Sequence, residues 1–145
     1  AQKSKTEFVI ARFGNVLASR GSVSEIFRHN ILEGKPIEIT DSNMERYFIK
    51  MQDALTLIMT AAEKGEDKEV WIWDMGRQIK IIDMAIALMA ELGKKVKIII
   101  TKPRGGEKMS EELFNEGEKP IKRGKMFVVK LPYKKISLKK LVKQI

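Results

Sequence analysis

The feature that most constrains the fold of this chain is the regular alternation of short apolar segments with segments of helical periodicity. The apolar segments cover residues 8–10, 70–73 and 96–100, and the helical segments cover residues 52–64 and 82–92. Strands that alternate with helices are typical of folds in which helices pack against a sheet. The sequence therefore predicts an α/β fold.

Short local signals place the ends of several elements. Ser22 and Glu25 have the spacing of a capping box, and Gly34 suits the C-terminal end of the helix that follows. Residues 37–40 alternate like a strand, and residues 126–129 form a late apolar strand. These signals add one helix and two strands to the predicted fold.

Helical spacing also predicts which side chains face the core. The predicted core faces are Ile26, Phe27, Asn30 and Ile31 in the first helix, and Ala54, Leu55, Ile58, Met59 and Ala62 in the helix at residues 52–64. Trp71 and Trp73 are predicted to be structural. We further predict a helical turn at residues 110–114 and a basic terminal helix at residues 137–145.

Length and composition exclude several classes of protein. The 145 residues, 43% of them hydrophobic, are enough for a single domain over residues 1–145. The absence of cysteine excludes disulfides and thiolate metal sites, and the single histidine, His29, argues against a histidine-based metal site. No apolar run reaches the roughly 18 residues of a membrane-spanning helix, and the first residues lack a signal-peptide pattern. We therefore predict no metal, no membrane span and a cytoplasmic location.

The net charge of +9 points to anionic partners. Nucleic acid, an acidic membrane surface and phosphorylated small molecules all remain open on charge alone. The alternative is a lysine-rich, solvated surface with no specific partner.

Four arginines carry a sharper signal than the lysines do. Arg12, Arg20, Arg46 and Arg104 each lie at a strand end or in a glycine-rich or turn segment. The planar guanidinium group suits phosphate oxygens, so arginines that converge on one cleft would bind a diphosphate. The alternative is four ordinary surface arginines. The sequence contains neither a glycine-rich phosphate loop nor a credible nucleophile–histidine set.

Five segments, in order, resemble the motifs of one family. They are residues 12–23 (RFGNVLASRGSV), 37–41 (IEITD), 44–48 (MERYF), 74–85 (from DMG to IIDMA) and 104–113 (RGGEK followed by EEL). Together they resemble CapD-like polysaccharide biosynthesis proteins. These are extended short-chain dehydrogenase/reductases that act on UDP-sugars, typically as UDP-N-acetylglucosamine 4,6-dehydratases or related epimerases.

The resemblance implies that the chain is the C-terminal part of an extended Rossmann-type enzyme. A few short strands with packed helices would form its substrate-binding subdomain, and the N-terminal Rossmann half that binds NAD or NADP would be absent. No catalytic residue is expected in this chain, because the family's active-site lysine lies upstream. The expected partners are a UDP-sugar, the Rossmann half of the same enzyme and further copies in a homo-oligomer.

The resemblance also implies residues for the sugar and the phosphates. Asn15 would contact the nucleotide-sugar, and Arg20 would approach the phosphate or the sugar. Arg46 and Arg104 would clamp the diphosphate. Glu45 stands where the family usually has threonine, which would add a negative charge near the proposed phosphate site.

Further residues are implied for the uridine and the cofactor. The backbone of Ile39 and Thr40 would pair with the uracil edge, and Glu107 would accept hydrogen bonds from the ribose. Arg12 and Phe13 would lie near the nicotinamide, although core packing is an equal alternative for Phe13. Gly105 replaces the family's usual proline and would loosen the loop that carries Glu107, because glycine has more backbone freedom.

Three functions follow as hypotheses. The first is the UDP-sugar-binding portion of an NAD(P)-dependent dehydratase or epimerase. In the family, hydride passes from the sugar C4 to NAD(P), water is eliminated across C5–C6, and the hydride returns. The second is a basic nucleic-acid-binding module, which the charge supports but the lack of aromatic residues among the basic ones does not. The third is a non-catalytic remnant that binds a partner through an open sheet edge.

Overall fold

The computed structural model describes residues 6–102 and 105–132 of the chain. The helices are α1 (Val23–Leu32), α2 (Met51–Lys64) and α3 (Ile81–Leu92). The strands are β1 (Ile10–Arg12), β2 (Asn15–Val16), β3 (Ile37–Ile39), β4 (Glu45–Arg46), β5 (Phe48–Ile49), β6 (Glu69–Trp73), β7 (Ile79–Lys80), β8 (Ile98–Ile100), β9 (Ile121–Arg123) and β10 (Met126–Lys130). The predicted α/β architecture is confirmed.

The main sheet has the strand order β1-β6-β10-β9. Strand β1 runs parallel to β6, with Ile10 opposite Val70, and β10 runs antiparallel to both β6 and β9. Helix α2 covers one face of this sheet, where Leu57 packs into a buried cluster with Trp71 and Trp73. The burial of both tryptophans confirms that they are structural, and the Trp71 indole donates a hydrogen bond to buried Glu69 at 3.0 Å.

A second layer places helices α1 and α3 beside the parallel pair β3–β8. Its core contains Phe27 and Ile31 from α1, Ile37 and Ile39 from β3, and Ala85 from α3. Two further short pairs of strands are present: β2 pairs with β5 in parallel, and β4 pairs with β7 in antiparallel orientation. The ends of β2, β3 and β4 provide the residues that line the first cleft described below.

The predicted ends of α1 are confirmed, and α3 ends at Leu92, as the helical segment at residues 82–92 predicts. The Ser22 hydroxyl accepts a hydrogen bond from the Glu25 amide at 3.4 Å, which caps the first turn of α1. Gly34, two residues beyond α1, has a φ of 69°, and Gly93 caps α3 with a φ of 62°. Glycine adopts this left-handed conformation without the steric cost that a side chain would bring.

Two predicted core faces were wrong in part. In α1, Phe27 and Ile31 are buried but Ile26 is exposed. In α2 the buried residues are Ala54, Leu57 and Ala61, whereas the predicted Leu55, Ile58 and Met59 are exposed. Helix α2 carries apolar residues on more than one face, and its two small alanines allow the closest approach to the sheet. Periodicity alone could not distinguish these faces.

Other local predictions also need correction. The first strand begins at Ile10, and Phe8, expected inside, is 68% exposed. Residues 110–114 form no helical turn, and the Glu111 amide and carbonyl are instead bonded to the Gln78 side chain. Phe114 packs edge-on against Phe127 with ring centroids 5.2 Å apart. The predicted helix at residues 137–145 lies outside the described residues. No helix in the described part of the chain is long and apolar enough to cross a membrane.

Candidate functional site

A cleft of about 430 Å³ opens where β2, β3, β4 and the start of α1 meet. It is lined by Asn15, Val16, Ser19, Arg20, Gly21, Ser22, Val23, Phe27, Glu38, Ile39, Thr40, Met44, Arg46, Ile81 and Glu107. We call it the first cleft. All of the residues predicted to bind the substrate lie in this lining except Arg104, which lies outside the described residues.

Local structure explains why these residues meet. Strand β2 pairs in parallel with β5, which places Asn15 beside Phe48. Thr40 directly follows β3, and Arg46 lies on the β4–β7 ribbon. The lining near Ser22 includes the N-terminal end of α1, whose free amides and dipole favour an anion. The capping box located this helix end in the sequence but did not indicate that it would face a cleft.

Asn15 is held against the backbone of Tyr47. Its amide donates to the Tyr47 carbonyl at 2.8 Å, and its side-chain nitrogen lies 3.4 Å from the same oxygen. The backbone of Asn15 is therefore held in place, whereas its side chain makes only the longer contact.

Arg46 is also fixed in place. Its Nη1 donates to the Glu45 carbonyl at 2.8 Å and lies 3.3 Å from the Met109 carbonyl, while Nε lies 3.7 Å from the Glu111 carboxylate. The side chain is only 14% exposed. A guanidinium that is ordered in this way loses less conformational entropy on binding an anion.

The negative charge of Glu45 falls outside the first cleft. Glu45 lines a different surface depression, with Gln78 and Lys80, whereas Arg46 lines the first cleft. Consecutive residues of a strand point to opposite sides. The substitution of glutamate at this position therefore does not place a carboxylate in the lining.

The backbone of β3 offers limited hydrogen bonding to a ligand. The Ile39 carbonyl already accepts from the Thr101 amide at 2.9 Å, because β3 pairs with β8. The peptide groups of Thr40, just beyond the strand, are the better placed of the two predicted uracil contacts.

A second cleft of about 350 Å³ lies on the other side of Asn15. Its lining comprises Arg12, Phe13, Gly14, Asn15, Tyr47, Met75, Lys108, Glu111, Glu112 and Leu113. Both predicted cofactor residues, Arg12 and Phe13, are in this lining. Phe13 also packs against the buried cluster under α2, which supports the core-packing alternative.

Arg12 forms a two-point ion pair that the sequence did not indicate. Its Nη1 and Nη2 contact the two carboxylate oxygens of Glu118 at 2.7 and 2.8 Å, and Nη1 also lies 3.2 Å from the Leu113 carbonyl. The hydrogen bonds from Arg12, together with weaker contributions from the backbone and side chain of Asn115, lower the pKa of Glu118 to about 2, although its partial burial opposes this shift. The two residues are 106 positions apart, so no local pattern could have paired them. The Arg12 guanidinium is thus already engaged before a ligand arrives.

Gln78 and Glu111 are the other residues that sequence reasoning missed. The Gln78 side chain bonds the backbone of Glu111, and the Glu111 carboxylate accepts from the Tyr47 amide at 3.1 Å. The described residues contain no group of three or more histidine, aspartate or glutamate side chains that could hold a metal ion.

Sequence comparison places these features in a family. The family model described as "Polysaccharide biosynthesis protein" matches residues 1–131. Over 118 residues the chain is 43% identical to the capsular polysaccharide biosynthesis protein CapD of Staphylococcus aureus and 42% identical to the probable polysaccharide biosynthesis protein EpsC of Bacillus subtilis. Each match covers 79% of this chain and 20% of the relative, so the chain spans about a fifth of these curated relatives.

Structure comparison finds solved proteins with a similar fold. Pen from Bacillus thuringiensis matches with a TM-score of 0.83 and 33% identity, over 90% of this chain and 42% of that one. The Bacillus cereus UDP-glucuronic acid 4-epimerase, in complex with UDP-glucuronic acid and NAD, matches with a TM-score of 0.63 and 26% identity, over 70% of this chain and 34% of that one. The chain belongs to the polysaccharide biosynthesis protein family and is related to the nucleotide-sugar epimerases and dehydratases.

Proposed function

We propose that this chain supplies the UDP-sugar-binding part of an NAD(P)-dependent nucleotide-sugar dehydratase or epimerase of polysaccharide biosynthesis. One observation carries the proposal. Asn15, Arg20, Thr40, Arg46 and Glu107 come from separate segments, yet all of them line the first cleft. Arginines without a common function would not be expected to line the same cleft. The B. cereus relative, which was solved with a UDP-sugar, supports the same class of ligand.

The chemistry of the first cleft suits each part of such a ligand. Arg20, Arg46 and the N-terminal end of α1 would bind the diphosphate, and each arginine–phosphate hydrogen bond would contribute about 1.5–3 kcal/mol. The Thr40 backbone would pair with the uracil edge, and Glu107 would accept from the ribose hydroxyls. Apolar side chains of the lining, including those of Val16 and Val23, would cover the ring faces.

NAD(P) would supply the hydride chemistry of the complete enzyme. In this chain the second cleft, with Arg12 and Phe13, would form only one wall of the cofactor site, since the sequence has no glycine-rich dinucleotide loop. Asn15 lines both clefts and would therefore lie where substrate and cofactor meet.

The Rossmann half of the same enzyme is the proposed protein partner. Strand β1 ends the main sheet and pairs with β6 on one side only, which leaves its other edge open among the described residues. Beside it, α2 exposes an apolar face made of Met51, Leu55, Ile58 and Met59. An open edge next to an apolar helix face is typical of a surface that another part of a fold covers.

Mutations on α2 test this partner. The probe is a Rossmann domain from a full-length member of this family, expressed as a separate chain. Met59→Lys should reduce its capture by this chain at least tenfold, whereas Thr56→Lys, the same charge change at another exposed position of α2, should not. Equal capture by both variants would contradict the assignment of this face.

The two tryptophans argue against a nucleic-acid-binding module. Trp71 and Trp73 are buried, so neither can stack on a base. A non-catalytic remnant would use the same open edge and α2 face, and ligand binding distinguishes it from the leading proposal.

Titration calorimetry with UDP tests the proposed function. The chain should bind UDP, and Arg46→Ala should weaken binding roughly tenfold to a hundredfold, as expected for the loss of one charge-assisted contact. Arg28→Ala is the matched control, because Arg28 only pairs with Glu91 on the surface between α1 and α3. Arg104→Ala tests the predicted clamp residue that the structure does not describe.

Two results would count against the proposal. UDP binding that is unchanged by Arg46→Ala would remove the first cleft as the site. Salt-sensitive binding of an oligonucleotide, with no response to UDP, would favour the nucleic-acid hypothesis instead.

A further inference from the structure

The loop at residues 105–113 brings Glu107 to the first cleft without any regular secondary structure of its own. The backbone polar groups of such a loop need partners from elsewhere in the fold. Strand β4 supplies two contacts, because the Glu45 amide donates to the Met109 carbonyl at 2.9 Å and Arg46 Nη1 lies 3.3 Å from the same oxygen.

A single side chain supplies the most complete attachment. The Gln78 side-chain oxygen accepts from the Glu111 amide at 3.0 Å, and its nitrogen donates to the Glu111 carbonyl at 2.9 Å. Ser110 Oγ lies 3.0 and 3.2 Å from the same two atoms of Gln78. Gln78 directly precedes β7, which pairs with β4. The side-chain amide of Gln78 therefore connects this pair of strands to the loop through the Glu111 backbone.

The Glu111 carboxylate in turn contacts residues that line the two clefts. One of its carboxylate oxygens accepts from the Tyr47 amide at 3.1 Å, and the other lies 3.7 Å from Arg46 Nε. The Tyr47 carbonyl in turn accepts from the Asn15 amide at 2.8 Å. A continuous series of polar contacts therefore connects Gln78 with Arg46 and Asn15.

We propose that Gln78 is a positioning residue that holds the loop at residues 105–113 against β4 and thereby places Glu107, Arg46 and Asn15 for ligand binding. This inference rests on the proposed function of the first cleft. Gln78 itself does not line that cleft and would not touch the ligand. Its effect on binding would be indirect, through the backbone of Glu111.

Gln78→Met tests this role, because methionine has a similar length but forms neither hydrogen bond. Hydrogen exchange of the Glu111 amide should become at least about tenfold faster, since that amide loses its acceptor. The dissociation constant for UDP should rise by roughly tenfold. Exchange in β6 should not change, which separates local positioning from a general loss of stability.

Two variants make the test specific. Gln52→Met is the same substitution at an exposed position at the start of α2 and should leave both measurements at the wild-type values. Gln78→Glu retains the acceptor for the Glu111 amide but, when ionised, cannot donate to the Glu111 carbonyl. It should restore part of the exchange protection.

The outcomes separate this inference from the function on which it rests. If the wild type binds UDP and Gln78→Met matches it in both affinity and exchange, the positioning role is wrong. If the wild type does not bind UDP at all, the proposed function fails, and the exchange of the Glu111 amide alone decides whether Gln78 holds the loop.

Discussion

Replacing Gly14 with alanine should destabilise the protein, because a β-carbon has no room at this position. The added atom would lie 2.5 Å from the Tyr47 carbonyl oxygen and 2.7 Å from the Tyr47 β-carbon. Ordinary contacts begin near 3.4 Å, so the Tyr47 peptide would have to move by about 1 Å. The Tyr47 carbonyl accepts from the Asn15 amide, and the Tyr47 amide donates to the Glu111 carboxylate, so a shift of the Tyr47 backbone would stretch both hydrogen bonds.

The magnitude follows from these contacts. Overpacking of this kind costs about 1–3 kcal/mol, and weakening the two hydrogen bonds adds up to about 1 kcal/mol each. For a chain of this length the midpoint of thermal unfolding should fall by on the order of 10 °C. The affinity for UDP should also fall, because Asn15 and Arg46 flank the displaced Tyr47.

Thermal unfolding followed by circular dichroism measures the first effect, with Gly105→Ala as the matched control. A β-carbon at Gly105 meets no heavy atom within 4 Å, and its φ lies outside the left-handed range. This variant should be neutral or slightly stabilising, since alanine restricts the unfolded chain. A Gly14→Ala midpoint within about 2 °C of the wild type would refute the reasoning, because it would mean that the Tyr47 peptide yields at no cost.

Two further predictions concern stability. The pKa of Glu118 is lowered to about 2 from an ordinary value of 4.5, so its contacts with Arg12 and Asn115 stabilise the fold fully above pH 4.5, and this stabilisation is lost as the pH falls towards 2. Urea unfolding at neutral pH and near pH 3 should therefore show a smaller acid loss for Glu118→Gln than for the wild type, and an equal loss would contradict the pairing. Leu57→Ala should cost about 2–5 kcal/mol in urea unfolding because Leu57 is fully buried, whereas Leu55→Ala, on the exposed face of the same helix, should change the free energy of unfolding by less than about 1 kcal/mol.

The net positive charge of the chain does not by itself identify the ligand. The net charge of +9 left nucleic acid, membranes and phosphorylated small molecules open. Arg20 and Arg46 line one cleft, and under the proposal they would bind a small anionic ligand. An extended polyanion such as nucleic acid would instead need a stripe of positive charge along the surface.

Several elements could be predicted from the sequence because their signals are local. The capping of α1 by Ser22, the buried strand β6 and the glycine that ends α3 each depend on neighbouring residues, whose dihedral preferences and apolar spacing act over a few positions. The resemblance of five short segments to one family then supplied the candidate residues of the first cleft.

The tertiary structure alone decided the rest. Helix α2 has apolar residues on two faces, and only the packing of Ala54, Leu57 and Ala61 against the sheet determines which face is buried. The pairing of Arg12 with Glu118 joins residues 106 positions apart. Such contacts depend on how layers meet after the local elements have formed. The sequence determined the elements and their order, whereas the packing of those elements decided which charges are paired and which cleft residues face each other.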